Sequence, residues 1–141
     1  MANLLIELSL PIKAFSVNAT SYRDSRFKTK EYQDWYTKVC ELLEDHKELH
    51  ELADDWRKDG GYFKVDFSFH YPEHIFWNRN KTVSSKTFDL TNCEKNLLDA
   101  IFRFMDINDK HVVLLKSSKH PGIGYEIKIK IQILPILPPA A

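Results

Sequence analysis

The run Asp89-Leu-Thr91-Asn92-Cys93-Glu94-Lys95-Asn-Leu-Leu-Asp99, followed ten residues later by Asn108-Asp109, holds the residue types most suited to chemistry. On a helix from about Asn92 to Phe104, the polar residues Asn92, Lys95, Asp99 and Arg103 recur at three and four and share one side. Cys93, Leu97, Ala100, Ile101 and Phe104 form the buried stripe opposite, flanked by Leu98 and Phe102. Asp89 sits just before the polar side begins, and Asp109 opens the strand that returns after the helix. The expectation is that Asp89, Asn92 and Lys95 face one point and that Asp109 meets them there. Carboxylates gathered beside a lysine suit a divalent cation, Mg²⁺ or Mn²⁺, that lowers the pKa of a bound water and offsets charge in phosphodiester hydrolysis. The lysine adds a fixed positive charge for the same purpose.

The same residues admit plainer readings. Thr91-Asn-Cys-Glu94 has the form of a capping box, in which the threonine hydroxyl and the glutamate satisfy backbone N–H groups of the first turn. Asp89, Asn92, Lys95 and Asp99 also fit a solvated helix face. Elsewhere, Trp77 lies in His74-Ile-Phe-Trp-Asn-Arg79-Asn-Lys81, where aromatic and basic residues mix. That composition suits stacking on unpaired bases beside phosphate contacts, and equally a loop anchored into the core by Phe76 and Trp77. Arg23, Arg26, Lys28 and Lys30 form a basic cluster fit for phosphates or for a solvated connector. His46 and His50 stand at helical ligand spacing in a charged helix, and without a third ligand they do not make a zinc site. No glycine-rich phosphate loop, Ser-His-Asp order or cysteine-nucleophile context is present.

The elements that must position these residues follow from periodicity. Leu4, Ile6, Leu8 and Leu10 alternate with Leu5, Glu7 and Ser9, a strand closed by Pro11. Tyr32, Trp35, Tyr36, Val39, Leu42 and Leu43 define a helix with Thr29 near its cap, and Lys47 to Lys58 is charged and helix-prone until Gly60-Gly61 stops it. Phe63, Val65, Phe67, Phe69 and Tyr71 alternate with Lys64, Asp66, Ser68 and His70, the clearest strand in the chain. Glu73 to Phe88 lacks periodicity and reads as a long loop. After the Asn92–Phe104 helix come strands His111 to Ser117 and Tyr125 to Leu134, with Lys119-His-Pro-Gly-Ile-Gly124 offering the turn of a hairpin. The order β-α-β-α-β-β, with two main helices, is a mixed α/β (α+β) domain over residues 1–134, and the proline-rich 135–141 segment is expected to fray.

Composition agrees with one such domain. The 141 residues are 43% hydrophobic and 13% aromatic, enough for a core, and the 20 basic side chains equal the 20 acidic ones. A neutral total argues against coating nucleic acid by bulk charge but leaves a locally basic groove open. Cys40 and Cys93 stand apart, as buried thiols of a reducing compartment do. The N-terminal apolar stretch is broken by Glu7 and has no basic leader, and nothing reaches membrane-span length, so a soluble, cytoplasmic protein is expected.

The run Asp89-Leu-Thr-Asn92-x-x-Lys95-x-x-x-Asp99, with Ile107-Asn-Asp109-x-x-Val-Val113, resembles the signature of RusA-type Holliday-junction resolvases. The upstream order, a strand ending in Pro11, the Ser16 to Arg23 segment and the Tyr32–Leu43 helix, matches that family more weakly. The resemblance implies a homodimeric, Mg²⁺-dependent endonuclease that nicks four-way DNA junctions in recombination and repair. It assigns the metal-binding aspartates to Asp89 and Asp109 and the essential lysine to Lys95, with Asn92 and Asp99 in support. The family pattern has a second aspartate where this chain has Thr91, a poor ligand for Mg²⁺. Either Glu94 or Asp106 completes the site, or the metal binds weakly, or the chain is a catalytically silent DNA- or protein-binding module.

Overall fold

The structure, a computed structural model, describes residues 5–16 and 29–135. Arg23, Arg26 and Lys28, and all but the first residue of the proline-rich segment, lie outside the described residues. The elements are β1 (Leu5–Leu10), α1 (Lys30–Glu44), α2 (Lys47–Asp59), β2 (Tyr62–Pro72), the single turn α3 (Glu73–Phe76), α4 (Leu90–Met105), β3 (Val112–Gly122) and β4 (Glu126–Leu134).

The four strands form one mixed sheet in the order β1-β4-β2-β3. β4 is antiparallel to both β1 and β2, whereas β3 runs parallel to β2. The α+β class read from the sequence therefore holds, but the β3–β4 hairpin does not form. β2 lies between those two strands. Its Phe63, Val65, Phe67, Phe69 and Tyr71 are all buried, and a strand with so apolar a face is best placed inside a sheet, with a neighbour on each edge.

One face of the sheet is covered by helices. The β2 aromatics and Ile127, Ile129, Ile131 and Ile133 of β4 pack with Trp35, Val39 and Leu43 of α1, Leu49 and Leu52 of α2, and Leu97, Ala100 and Ile101 of α4. The helical set is one larger than the two expected. The charged Lys47–Asp59 stretch is a separate helix with Leu49, Leu52 and Ala53 buried, set off from α1 at Asp45-His46 and ended by Gly60 at φ +70°. Thr29 caps α1, accepting from the Tyr32 N–H at 3.2 Å.

The long loop expected over 73–88 is more ordered than its sequence implied. After α3, Trp77 and Val83 bridge antiparallel around a turn in which Asn78, Asn80 and Thr82 bond one another, and Ser85–Thr87 makes a 3₁₀ turn. Side-chain-to-backbone bonds of Asn and Thr replace the periodic pattern that a helix or strand would show.

Candidate nucleic-acid-cleaving site

α4 begins at Leu90, two residues before its sequence-based start, with Asp89 as the N-cap. The Asp89 carbonyl accepts from the N–H groups of Asn92 and Cys93, and its side chain makes no capping bond. Asp89, Thr91 and Lys95 are exposed, and Asn92 is half-buried. The capping box does not form. Thr91 lies inside the helix, and Glu94 instead accepts a short hydrogen bond from Ser117 Oγ on β3.

The residue that presents Asp89 is Phe88, at φ 60° and ψ 166°. That region is almost reserved for glycine, and occupying it with a phenylalanine costs about 1–3 kcal/mol. Two side chains hold the strained segment. The buried Tyr71 hydroxyl donates to the Thr87 carbonyl at 2.6 Å. Lys119 Nζ donates to Thr87 Oγ1 and to the Phe88 carbonyl, both at 2.9 Å. Burial pushes the Tyr71 phenol far above its ordinary pKa, so it remains a donor throughout the working range. Lys13 Nζ approaches the Phe88 ring to 6.0 Å, so Lys13 and Lys119 bracket residue 88 with positive charge. Among the described residues Lys13, Ala14, Phe15, Ser16, Trp35 and Phe88 line an apolar recess of about 280 Å³ beside it.

Asp109 lies elsewhere. It begins a 3₁₀ turn beyond the other end of α4 and, with Asp99, Phe102, Arg103, Ile107 and Asn108, lines a depression of about 220 Å³. Sixteen residues of helix separate Asp89 from that end; at about 1.5 Å per residue, the span is about 24 Å. β3 then runs back along α4, so that Ser117 and Lys119, not Asp109, come beside the Asp89 end. Asp89, Thr91, Asn92 and Lys95 thus share the N-terminal part of α4, and Asp109 lies beyond the other end of that helix within one chain. Asp99 sits nearer the Asp109 end, 3.8 Å from Arg103. Asp106 is at the far C-cap and Glu94 is engaged by Ser117, so neither stands beside Asp89 as a free replacement for the missing aspartate.

Among the described residues no three His, Cys, Asp or Glu side chains converge as a metal cage would require. The ligand set of a single chain does not fit a tightly held divalent ion. His46 bonds Glu48 at 3.0 Å instead of pairing with His50 around zinc. Cys40 and Cys93 are free thiols, and burial raises the pKa of both. Trp77 is 41% exposed, its ring edge-on to the buried Phe76 at 4.7 Å. Phe76 is buried and anchors the loop without Trp77, and Trp77, Arg79 and Lys81 all remain exposed. Ser84 N–H bonds the Phe76 carbonyl and Thr87 N–H the Ser84 carbonyl, which ties this loop to the Asp89 end of α4.

A family model described as endodeoxyribonuclease RusA matches residues 13–132, most of the chain. The chain belongs to the RusA family. RusA membership implies a structure-specific nuclease that acts on branched DNA junctions, and RusA nucleases generally depend on a divalent metal. No curated protein matches the chain. Among the described residues, no helix is long and apolar enough to cross a membrane.

Sequence reasoning missed Tyr71, Phe88, Ser117 and Lys119 in this RusA site. Tyr71 read as one more core aromatic and Lys119 as a turn residue; only the parallel placement of β3 beside β2 reveals what they hold. Asn96 was missed as well. It is buried in the apolar stripe and donates to the Phe15 carbonyl at 3.0 Å, fixing the chain beyond β1 against α4.

Proposed function

We propose that this RusA-family chain binds four-way DNA junctions and nicks them with Mg²⁺ or Mn²⁺ as a homodimer. Asp89 and Asp109 are the metal-binding carboxylates in this reading, and Lys95 is the supporting cation. Thr91, Asn92 and Asp99 shape their surroundings. The observation that carries it is the N-terminal end of α4, where the exposed Asp89 follows a Phe88 flanked by Lys13 and Lys119, with Lys95 exposed farther along the helix. Phosphate groups favour a helix N-terminus, where unpaired N–H groups and nearby lysines offer positive charge. Trp77, Arg79 and Lys81, exposed on the loop that leads to Phe88, suit an unstacked base and its flanking phosphates. Arg23, Arg26 and Lys28 belong to the proposal on sequence grounds alone.

The separation of Asp89 from Asp109 makes the dimer part of the chemistry. One chain cannot offer both carboxylates to one ion, but a two-fold pair can offer Asp89 of one copy with Asp109 of the other, twice. A junction has matching two-fold symmetry, and resolving it takes two nicks.

The test is cleavage of a synthetic four-way junction with Mg²⁺ and Mn²⁺. Asp89→Asn and Asp109→Asn should each abolish nicking and leave junction binding in place. Wild-type protein that shifts the junction in a gel but never cuts it would instead mark a silent binding module, the reading that Thr91 favours. Failure to shift a junction at low salt would overturn both.

A further inference from the structure

Phe88 sits at φ 60° and ψ 166°, where side chains other than glycine's are rarely found. A residue there returns to ordinary torsions unless its neighbours prevent it. Its ψ turns the peptide that joins it to Asp89, and so decides how the Asp89 backbone enters α4. From the other side Asp89 is already fixed, because its carbonyl accepts from the Asn92 and Cys93 N–H groups. The Asp89 side chain makes no capping bond that would steady it. The direction of its carboxylate therefore depends on the peptide that precedes it.

The oxygen of that peptide is the Phe88 carbonyl, to which Lys119 Nζ donates at 2.9 Å. The same ammonium donates to Thr87 Oγ1, also at 2.9 Å. One cation thus grips both the carbonyl that a change of ψ would swing and the residue before it. Tyr71 holds a different peptide, since its hydroxyl reaches the Thr87 carbonyl, one residue earlier. Lys119 lies on β3 in the row of the buried Phe69, under the helices, two residues beyond the Ser117 that bonds Glu94 of α4. Among the described residues no carboxylate pairs with Lys119, so its half-buried charge is directed at two neutral oxygens. Hydrogen bonds from a charged donor are about twice as strong as neutral ones, which suits a hold against strain.

We propose that Lys119 is a positioning residue that locks residue 88 in glycine's backbone region and so sets the direction of the Asp89 carboxylate. Its role in cleavage rests on the junction nuclease proposed above, whereas the lock stands on the Phe88 torsions and two hydrogen bonds. Such a lock has a signature that packing alone lacks. Glycine adopts these torsions without strain, so Phe88→Gly should make Lys119 largely dispensable.

Two measurements on the full chain decide it: nicking of a four-way junction with Mn²⁺, and the amide-to-Hα coupling of residue 88, which reads φ. Lys119→Met keeps the aliphatic stem and removes the donors. It should move that coupling away from the wild-type value as φ leaves the positive region. It should also lower kcat about a hundredfold with KM unchanged, the effect of a misplacement of about 1 Å. Adding Phe88→Gly to Lys119→Met should recover about tenfold of that loss, because the strain is gone. If Lys119→Met does not fold, Lys119→Gln carries the same comparison. A coupling unmoved by loss of the lysine overturns the inference. So does a double variant as slow as Lys119→Met, which would make the lysine a structural or a substrate-binding residue. A wild type that cuts no junction sinks the nuclease reading, and the coupling alone then decides the lock.

Discussion

Asp89 and Asp109 stand at opposite ends of α4, one as its N-cap and the other three residues beyond its C-cap. Because β3 turns back along the helix, the residue that meets the Asp89 end is Lys119, whose ammonium holds the Phe88 carbonyl. A carboxylate pair divided in this way is useless to one ion inside one chain. Two chains related by a two-fold axis would remove the difficulty.

Mixing two dead variants tests that division of labour. Asp89→Asn retains Asp109, and Asp109→Asn retains Asp89. A heterodimer of the two has one site with both carboxylates and one with neither. Random exchange of subunits makes about half the dimers mixed, so an equimolar mixture should recover about a quarter of wild-type nicking. The product should be singly nicked junction rather than paired cuts. A mixture as inert as its components would place both carboxylates of each site in one chain, against the helix length.

Thr91→Asp restores the carboxylate of the RusA pattern. Residue 91 is exposed in the first turn of α4, so the new charge needs no desolvation and complements the helix dipole by about 0.3–1 kcal/mol. The variant should be as stable as wild type or slightly more so. It should also bind Mn²⁺ about tenfold more tightly, equivalent to about 1.4 kcal/mol, and nick faster in proportion. Titration of Mn²⁺ against nicking rate, beside a thermal melt, reads both. Tighter metal with no gain in rate would mean that Thr91 is not what limits the chemistry.

Much of the fold was legible because its patterns are local. The alternation in β2 and β4 and the helical stripe of α4 follow from side-chain periods of two and 3.6, and the Gly60-Gly61 stop from a backbone at positive φ. The order of strands was not local. The turn residues between Lys119 and Gly124 suit a hairpin, yet the buried aromatics of β2 claim the place between β3 and β4. The same non-local choice decides the site. The Asp89–Asp99 run could be read on one helix face, whereas the position of Asp109 depends on the direction in which β3 returns. The strain at Phe88 was invisible too, since no residue type announces that a phenylalanine will occupy glycine's region.

Tyr71→Phe removes one of the two holds on that strained segment. The Thr87 carbonyl would lose its buried donor, at a cost of about 1–3 kcal/mol, and Tm should fall by about 5 °C. The larger effect should be on nicking, because relaxation of Phe88 re-aims Asp89. A loss of kcat with junction affinity unchanged is the expected result. An unchanged kcat beside the lowered Tm would make the tyrosine structural only.

The open face of the sheet carries a stability titration that should be separable from catalysis. His70 and His120 lie side by side on β2 and β3, ring centroids 5.0 Å apart and nearly parallel, with Ser118 bonded to His120 at 2.8 Å. Burial lowers the His70 pKa below its ordinary 6.5, the positive charges of His120 and Lys128 lower it further, and Glu126 opposes them weakly. Lys116 and Asp66 are cross-strand neighbours on the same face. The unfolded chain therefore takes up its proton first as the pH falls. Stability is complete above about pH 6.5, declines as the pH drops toward the lower folded-state value, and levels off beneath it. Carboxylates such as Glu48, whose pKa is lowered from 4.5, act only at more acidic pH, so the interval from about pH 7 to 5 separates the His70 effect from theirs. Thermal melts across that interval should show Tm falling for wild type, and His70→Gln should flatten the slope. A slope that survives in both His70→Gln and His120→Gln would assign the loss to other groups.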